Sequence, residues 1–208
     1  MRGRGKGSQF ERDLCRQLSL WWTNGSRDDV FWRSAQSGGR ATFRAKKGKQ
    51  TFGSYGDIAA TDPIGRPLLD LMTIEAKKGY GKKGTAFDAL DNLPRFGKVK
   101  PCQWEEFVIQ ASTDSLKAGT PYWMLVHRRP QRATMCFVPY ELQRYLKILR
   151  ESSPAAVIGV DGREGCWNSQ LILAVPFESF LASVKPDDIR ELARKFGKRP
   201  VIRVKRIV

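Results

Sequence analysis

The sequence has little histidine, no closely spaced cysteines and no long apolar run, and each shortage argues against a class of function. A single histidine, His127, among 208 residues excludes chemistry that needs two or more histidines. The four cysteines form no Cys-x-x-Cys pair, which argues against a zinc site or a disulfide framework and favours a reduced, intracellular setting. No stretch is long enough to span a bilayer and no signal peptide is recognisable, so we expect no membrane partner.

Acidic residues are also scarce relative to basic ones. The chain has 37 Lys and Arg against 21 Asp and Glu, which gives a formal net charge of +16. A surface of this charge attracts polyanions, and nucleic acid is the first expectation. The alternatives are a ribosomal-type RNA-binding protein and a protein of the membrane surface. The length and the hydrophobic content of 41% suit one globular core with a small extension.

The apolar spacing predicts an α/β fold with a central mixed β-sheet flanked by helices. We expect a flexible basic arm at 1–7, a core at 8–150, and a C-terminal strand and helix extension at 151–208 that packs on the core. Helices are predicted from a capping box at Ser8 to a stop at Asn24, at 102–117, from Pro139 onward and at 186–196. Strands are predicted at 30–33, 57–61, 68–76, 121–127, 133–138 and 170–175, whereas 151–168 is expected to be loop with a short apolar piece at Ala156–Val160.

Two acidic residues and a lysine stand at the ends of apolar runs. Asp57 opens one run, and Glu75 and Lys77 close another. Because strand side chains alternate between faces, Glu75 and Lys77 point the same way. Carboxylate oxygens suit a divalent metal, and an ammonium can orient water or neutralise developing charge, so the three residues predict phosphodiester cleavage. The structural alternative is that Asp57 caps a turn and that the other two belong to a solvated strand end.

Three further polar residues have structural interpretations on local sequence. Glu11 is the third helical residue of the capping box that begins at Ser8, although the helix spacing also allows it to face the site. Ser37 precedes two glycines, where the backbone can approach a phosphate closely, yet an ordinary loop serine is the favoured local interpretation. Gln103 opens a helix and fits polar surface or capping support.

Four basic segments are expected to follow nucleic-acid phosphates, at 38–49, 77–83, 95–100 and 194–206. Any one of them could be a solvated face, whereas several together, with aromatic residues interleaved, favour nucleic acid. The residues expected to bind DNA are Arg2, Arg4, Lys6, Arg33, Arg40, Arg44, Lys46, Lys47, Lys49, Lys78, Lys82, Lys83 and Gln103.

Four segments in this order resemble the archaeal-type Holliday junction resolvases of the PD-(D/E)XK nuclease superfamily. They are Gly7–Leu14, Arg33–Gly38, Gly56–Ala60 and Ile74–Lys77, with weaker similarity at Gln103 and at Phe137–Leu142. The resemblance implies a restriction-endonuclease-like core. The chain departs from the family in a longer, more basic segment from Ser37 to Asp57 and in a more substantial C-terminal part.

The resemblance also implies roles for individual residues. Asp57 and Glu75 would be metal ligands, with Glu11 on the first helix helping to bind or position the metal. Lys77 would be the catalytic lysine, and Ser37 would aid cleavage. The implied metal is Mg²⁺, for which Mn²⁺ would substitute. The implied partners are branched double-stranded DNA and a second copy of the chain, because the family cuts two strands of a four-way junction as a homodimer.

We therefore expect a magnesium-dependent, structure-selective DNA endonuclease that resolves four-way junctions in DNA recombination and repair. A phage-encoded member is included in this expectation, and its location would be cytoplasmic and DNA-associated. The alternatives are a restriction-like or replication-linked duplex endonuclease, and a non-catalytic nucleic-acid-binding module.

Overall fold

A computed structural model describes residues 4–34, 55–79, 101–149, 154–160 and 170–196. The helices in these ranges are α1 (Arg4–Trp22), α2 (Arg66–Leu71), α3 (Gln103–Ala118), α4 (Gln143–Leu146), α5 (Phe177–Ser183) and α6 (Pro186–Phe196). The strands are β1 (Phe31–Arg33), β2 (Ile58–Ala60), β3 (Met72–Lys78), β4 (Tyr122–Arg128), β5 (Thr134–Pro139), β6 (Ala156–Val160) and β7 (Gln170–Pro176). Short 3₁₀ turns occupy Pro63–Gly65 and Tyr140–Leu142. Of the described helices, none is long and apolar enough to cross a membrane.

Five strands form the central mixed sheet, in the order β3-β4-β5-β7-β6. The strands β3 and β4 are parallel, with Glu75 opposite Leu125 and Lys77 opposite His127, and the other neighbours are antiparallel. The strands β1 and β2 form a separate antiparallel pair. Within the described residues, β3 is therefore an edge strand of the larger sheet, and the predicted mixed α/β architecture is confirmed.

Helices cover both faces of the sheet. On one face, Leu14 and Leu18 of α1 share an apolar cluster with Ile74 of β3 and with residues of α5 and α6. On the other face, Trp104 and Val108 of α3 pack against β4, β5, β6 and β7. The C-terminal strands β6 and β7 complete the same sheet, so the chain beyond residue 150 contributes directly to both apolar clusters.

The first helix begins earlier than the sequence predicts. It starts at Arg4, so Ser8 lies inside the helix and is not its capping residue, and the predicted arm at 1–7 is helical from Arg4 onward. The physical reason is that arginine and lysine are good helix formers, and that an interior glycine costs only about 1 kcal/mol relative to alanine. Packing of the later turns of α1 outweighs that cost.

Two apolar runs adopt a different structure from the predicted one. Residues 68–71, predicted as strand, belong to α2, whose first turn contains Pro67. Proline favours the first turn of a helix, and a short apolar run does not by itself distinguish helix from strand. Residues Ala156–Val160, predicted as a piece of loop, form β6 because they pair along their length with β7. The helix predicted from Pro139 is a 3₁₀ turn followed by α4, which ends at Lys147 in the left-handed region.

We predict that Leu18→Ala destabilises the protein by about 2–5 kcal/mol, because it removes a fully buried side chain that attaches α1 to the sheet. Urea unfolding followed by circular dichroism measures this change. Leu116→Ala is the matched control: Leu116 is 70% exposed, so its loss should change the free energy of unfolding by no more than about 0.5 kcal/mol. Equal effects of the two substitutions would contradict the assignment of α1 to the core.

Candidate active site

Asp57 reaches β3 through a close approach of two backbones. Its N–H donates to the carbonyl oxygen of Ile74 at 2.8 Å, and its own carbonyl accepts from the N–H of Ser34 at 2.8 Å. Gly56 precedes it with φ +77°, a left-handed conformation, and a Cβ at this position would lie 2.7 Å from the Ile74 carbonyl oxygen. The Ser34 hydroxyl also donates to the Gly56 carbonyl at 2.8 Å. Asp57 is thus held between the end of β1 and the middle of β3.

The side chains of Asp57, Glu75 and Lys77 meet at this point. One Asp57 oxygen, Oδ2, accepts the N–H of Ala76, the neighbour of Glu75, at 2.9 Å, and the Asp57 charge acts on the Glu75 carboxyl group. The Lys77 Nζ lies 2.5 Å from Oε1 of Glu75, which confirms that the two residues share a face of β3. Glu75 is only 1% exposed. The site therefore combines the buried Glu75 carboxyl group with a second carboxyl group and an ammonium that are both partly buried.

Burial dominates the electrostatics of both carboxyl groups. It raises the pKa of Asp57, against the opposing effects of the Ala76 N–H and the Lys77 charge. Burial likewise raises the pKa of Glu75 to about 8; the Asp57 charge adds to this shift, and Lys77 opposes it. Two neighbouring carboxyl groups that resist ionisation would gain from a cation placed between them.

Glu11 lies close to this cluster but forms a different contact. Its carboxylate makes an ion pair with the guanidinium of Arg33, and its charge contributes to the raised pKa of Asp57. The helix α1 packs on the face of β3 that carries Ile74, whereas Glu75 points to the opposite face, which explains why the structure does not bring Glu11 against Glu75. The part of the chain that the structure describes contains no group of three or more acidic, cysteine or histidine residues arranged to hold a metal.

The other predicted site residues are distributed as follows. Lys78 lies with its Nζ 6.0 Å from the ring centroid of Phe10, and Gln103 donates to Glu106 within its own helix. Arg4 and Lys6 lie on the first turns of α1. The remaining residues lie outside the described ranges: Arg2, Ser37, Arg40, Arg44, Lys46, Lys47, Lys49, Lys82 and Lys83.

The single histidine does not join the cluster as a ligand. His127 is buried, and its ring centroid lies 5.5 Å from that of Phe107. Its Nε2 is 3.4 Å from the Gly79 carbonyl, and burial lowers the pKa of the imidazole. This packing is that of a structural residue.

Comparison with known proteins gives one result that bears on this site. A family model described as "Phage putative PDDEXK endonuclease" matches residues 2–191. The chain belongs to this family. Neither the curated proteins nor the solved structures contain a significant match. The PD-(D/E)XK superfamily is thereby confirmed, and with it a nuclease, hence a hydrolase; the match does not single out the junction resolvases.

Nucleases of the PD-(D/E)XK type generally depend on a divalent metal, and the donors present here fit one. Asp57 and Glu75 supply hard oxygen atoms, which Mg²⁺ and Mn²⁺ prefer. Burial raises the pKa of both groups, and the Asp57 charge adds to the shift at Glu75; a divalent cation bound beside them would favour their ionised forms. Asp57 and Glu75 are thus the residues of this cluster whose oxygen atoms could hold a divalent metal.

Gln110 also contacts the cluster, although it is not among the residues predicted from the sequence. Its Nε2 donates to Oε1 of Glu75 at 2.6 Å, from the helix α3. One turn earlier on the same helix, Phe107 lies with its ring centroid 5.6 Å from the Lys77 Nζ. The predicted helix at 102–117 contains the signal: residues three positions apart, such as Phe107 and Gln110, share a side of a helix.

We predict that the metal-free protein loses stability as the pH rises from 4.5 to about 8. In this window Glu75 has released its proton in the unfolded state but retains it in the folded state. Each pH unit therefore lowers the free energy of unfolding by up to about 1.4 kcal/mol. Below pH 4.5 Glu75 is protonated in both the folded and the unfolded state, and above about pH 8 no further stability is lost through this group. Urea midpoints measured across this range test the expectation.

Glu75→Gln should remove this component of the pH dependence, whereas Glu106→Gln, an exposed change on α3, should keep the wild-type profile. Added Mn²⁺ should stabilise the wild-type protein more strongly at pH 8 than at pH 5, because the metal binds the deprotonated carboxylate. A wild-type profile unchanged by Glu75→Gln would contradict the raised pKa of this group.

Proposed function

We propose that this member of the PD-(D/E)XK family is a Mg²⁺-dependent DNA endonuclease that hydrolyses phosphodiester bonds at Asp57, Glu75 and Lys77. The observation that supports it most directly is the meeting of the buried Glu75 carboxyl group and the partly buried Asp57 carboxyl group with one ammonium, which lies 2.5 Å from Glu75. This combination places oxygen atoms that can bind a metal beside the Lys77 ammonium, which can act on a phosphate. Mn²⁺ should substitute for Mg²⁺, because both favour oxygen ligands.

Each residue of the cluster has a chemical role in the proposal. Asp57 and Glu75 would hold the divalent cation, which when bound polarises a phosphate oxygen and acidifies a water molecule. Lys77 would orient the attacking water or neutralise the charge that develops on the phosphate. Glu11 would help to position the metal site, since its charge already acts on Asp57, and Ser37 would aid cleavage as the family resemblance implies.

Arg33 connects the site to DNA binding in this proposal. Its guanidinium pairs with Glu11, next to the carboxyl cluster, and its side chain is 25% exposed. A phosphate that approaches the Asp57 side of the cluster would therefore meet Arg33, while Lys78, beside Phe10 on the α1 face of β3, would add positive charge on that face. The net charge of +16 supplies the wider attraction, which should weaken steeply as salt rises.

Four-way junctions are the proposed substrate, and a homodimer is the proposed active form. The support is the sequence resemblance of the four ordered segments to junction resolvases, together with the basic segments that flank Asp57 and Glu75. Two active sites, one in each copy, would allow paired incision of two strands. The alternatives are a restriction-like or replication-linked endonuclease acting on linear duplex, and a module that binds nucleic acid without cutting it.

We predict that Asp57→Asn reduces the rate of Mg²⁺-dependent cleavage at least about 100-fold and retains DNA binding, because it removes a ligand charge without adding bulk. Lys77→Ala should reduce cleavage by about 100- to 1,000-fold and leave the circular dichroism spectrum unchanged. Asp28→Asn, at an exposed ion pair with Arg16, is the matched control and should cut like the wild type. Full activity of Asp57→Asn would place the chemistry elsewhere.

We predict preferential cutting of a synthetic four-way junction over linear duplex of the same sequence, with Mg²⁺ required and two strands cut per junction. Denaturing electrophoresis of labelled strands measures the products, and sedimentation of the free protein measures its oligomeric state. Equal cutting of linear duplex would favour the restriction-like alternative. Binding without any cutting would favour the non-catalytic module.

A further inference from the structure

Gln110 combines an exposed position with a bond to a buried group. The residue lies on the outer part of α3, yet its Nε2 donates at 2.6 Å to Oε1 of Glu75, which is 1% exposed. The same oxygen accepts from the Lys77 Nζ at 2.5 Å. Both donors therefore converge on one oxygen of Glu75, and neither of these two bonds uses the other oxygen, Oε2.

We propose that Gln110 is a positioning residue that fixes the Glu75 carboxylate for a divalent cation. The inference rests on the proposed function, in which Glu75 is a metal ligand. With Oε1 held from two sides, the carboxylate is restrained from rotating, and Oε2 would be the oxygen available to a metal. Donors that orient a ligating carboxylate in this way typically matter for metal affinity nearly as much as the ligand does.

The chemistry of an amide explains why glutamine suits this position. Lys77 also holds Oε1, but its long side chain would be drawn toward a phosphate during the reaction. Gln110 would then remain as the donor that keeps Glu75 in place. An amide carries no charge, so it does not oppose a cation as a second ammonium would.

The helix that carries Gln110 is rigidly attached. Trp104, Val108 and Ala111 of α3 are fully buried, and they form one apolar cluster with the neighbouring strands. Phe107 lies one turn before Gln110 and packs beneath the Lys77 ammonium. The amide is therefore presented from an anchored element, as precise orientation of a ligand requires.

Calorimetric titration of the DNA-free protein with Mn²⁺ tests the proposal without depending on cleavage. Gln110→Met keeps the length of the side chain and removes the donor, and Gln110→Ala removes both. We expect each to weaken Mn²⁺ binding roughly 10-fold or more. The matched control is Gln9→Ala, an exposed glutamine that bonds within α1, which should bind Mn²⁺ like the wild type. Asp57→Asn should abolish binding.

A cleavage assay gives a second measurement. The half-saturating Mn²⁺ concentration should rise by the same factor in Gln110→Met, while the rate at saturating metal should approach that of the wild type. Unfolding of the metal-free variant should occur at the wild-type temperature, because the side chain is exposed.

The possible outcomes are distinct. Wild-type Mn²⁺ affinity in Gln110→Met and Gln110→Ala would overturn the positioning role and leave the proposed function intact, even if cleavage were lost. Weaker metal binding together with a lower unfolding temperature of the metal-free protein would make Gln110 structural and would also overturn it. A wild-type protein that neither binds Mn²⁺ nor cuts DNA would overturn both the proposed function and this inference.

Discussion

Two neighbouring carboxyl groups, Glu75 buried and Asp57 partly buried, impose the main constraint on this molecule. Asp57 and Glu75 lose water on folding and repel one another once ionised, so their arrangement opposes stability in the absence of a cation. The surrounding groups reduce that cost: the Ala76 N–H binds Asp57, and Lys77 and Gln110 bind Glu75. Three elements hold this pair together. The strand β3 carries Glu75, α3 supplies Gln110, and the chain before β2 brings Asp57 to the Ala76 N–H.

The apolar clusters on the two faces of the sheet provide that support in different ways. The apolar cluster that contains Leu14 and Leu18 of α1 packs on one face of the edge strand β3 through residues such as Ile74. The apolar cluster that contains Trp104 and Val108 holds α3 on the other face of the sheet, and α3 supplies Phe107 and Gln110. Because Glu75 and Lys77 alternate with Ile74 and Ala76, one strand serves the core with one face and the chemistry with the other. A strongly basic chain can thereby keep two acidic groups together at a single place.

Much of this arrangement follows from local patterns in the sequence. Strand alternation predicted that Glu75 and Lys77 share a face, and the bounds of α3 and α6 agree with their terminal prolines, glycine and charges. Local pattern was insufficient where partners distant in sequence decide the outcome. The ion pair of Glu11 with Arg33 depends on how α1 packs against β1, and the strand β6 depends on pairing with β7. Gln110 cannot be recognised from the apolar positions of its helix, because its partner Glu75 lies on a strand 35 residues away in sequence.

Gly56 shows why the three chemical residues do not by themselves specify the site. Its left-handed backbone and missing Cβ allow the chain to pass within hydrogen-bonding distance of Ile74, which brings Asp57 against Ala76. A chain with the same aspartate, glutamate and lysine but a bulkier residue at this position would carry all the ligands and fail to assemble them. The pattern that specifies this site is therefore Gly-Asp followed by Glu-Ala-Lys. The glycine allows the two backbones to approach, and the aspartate, glutamate and lysine supply the charged groups.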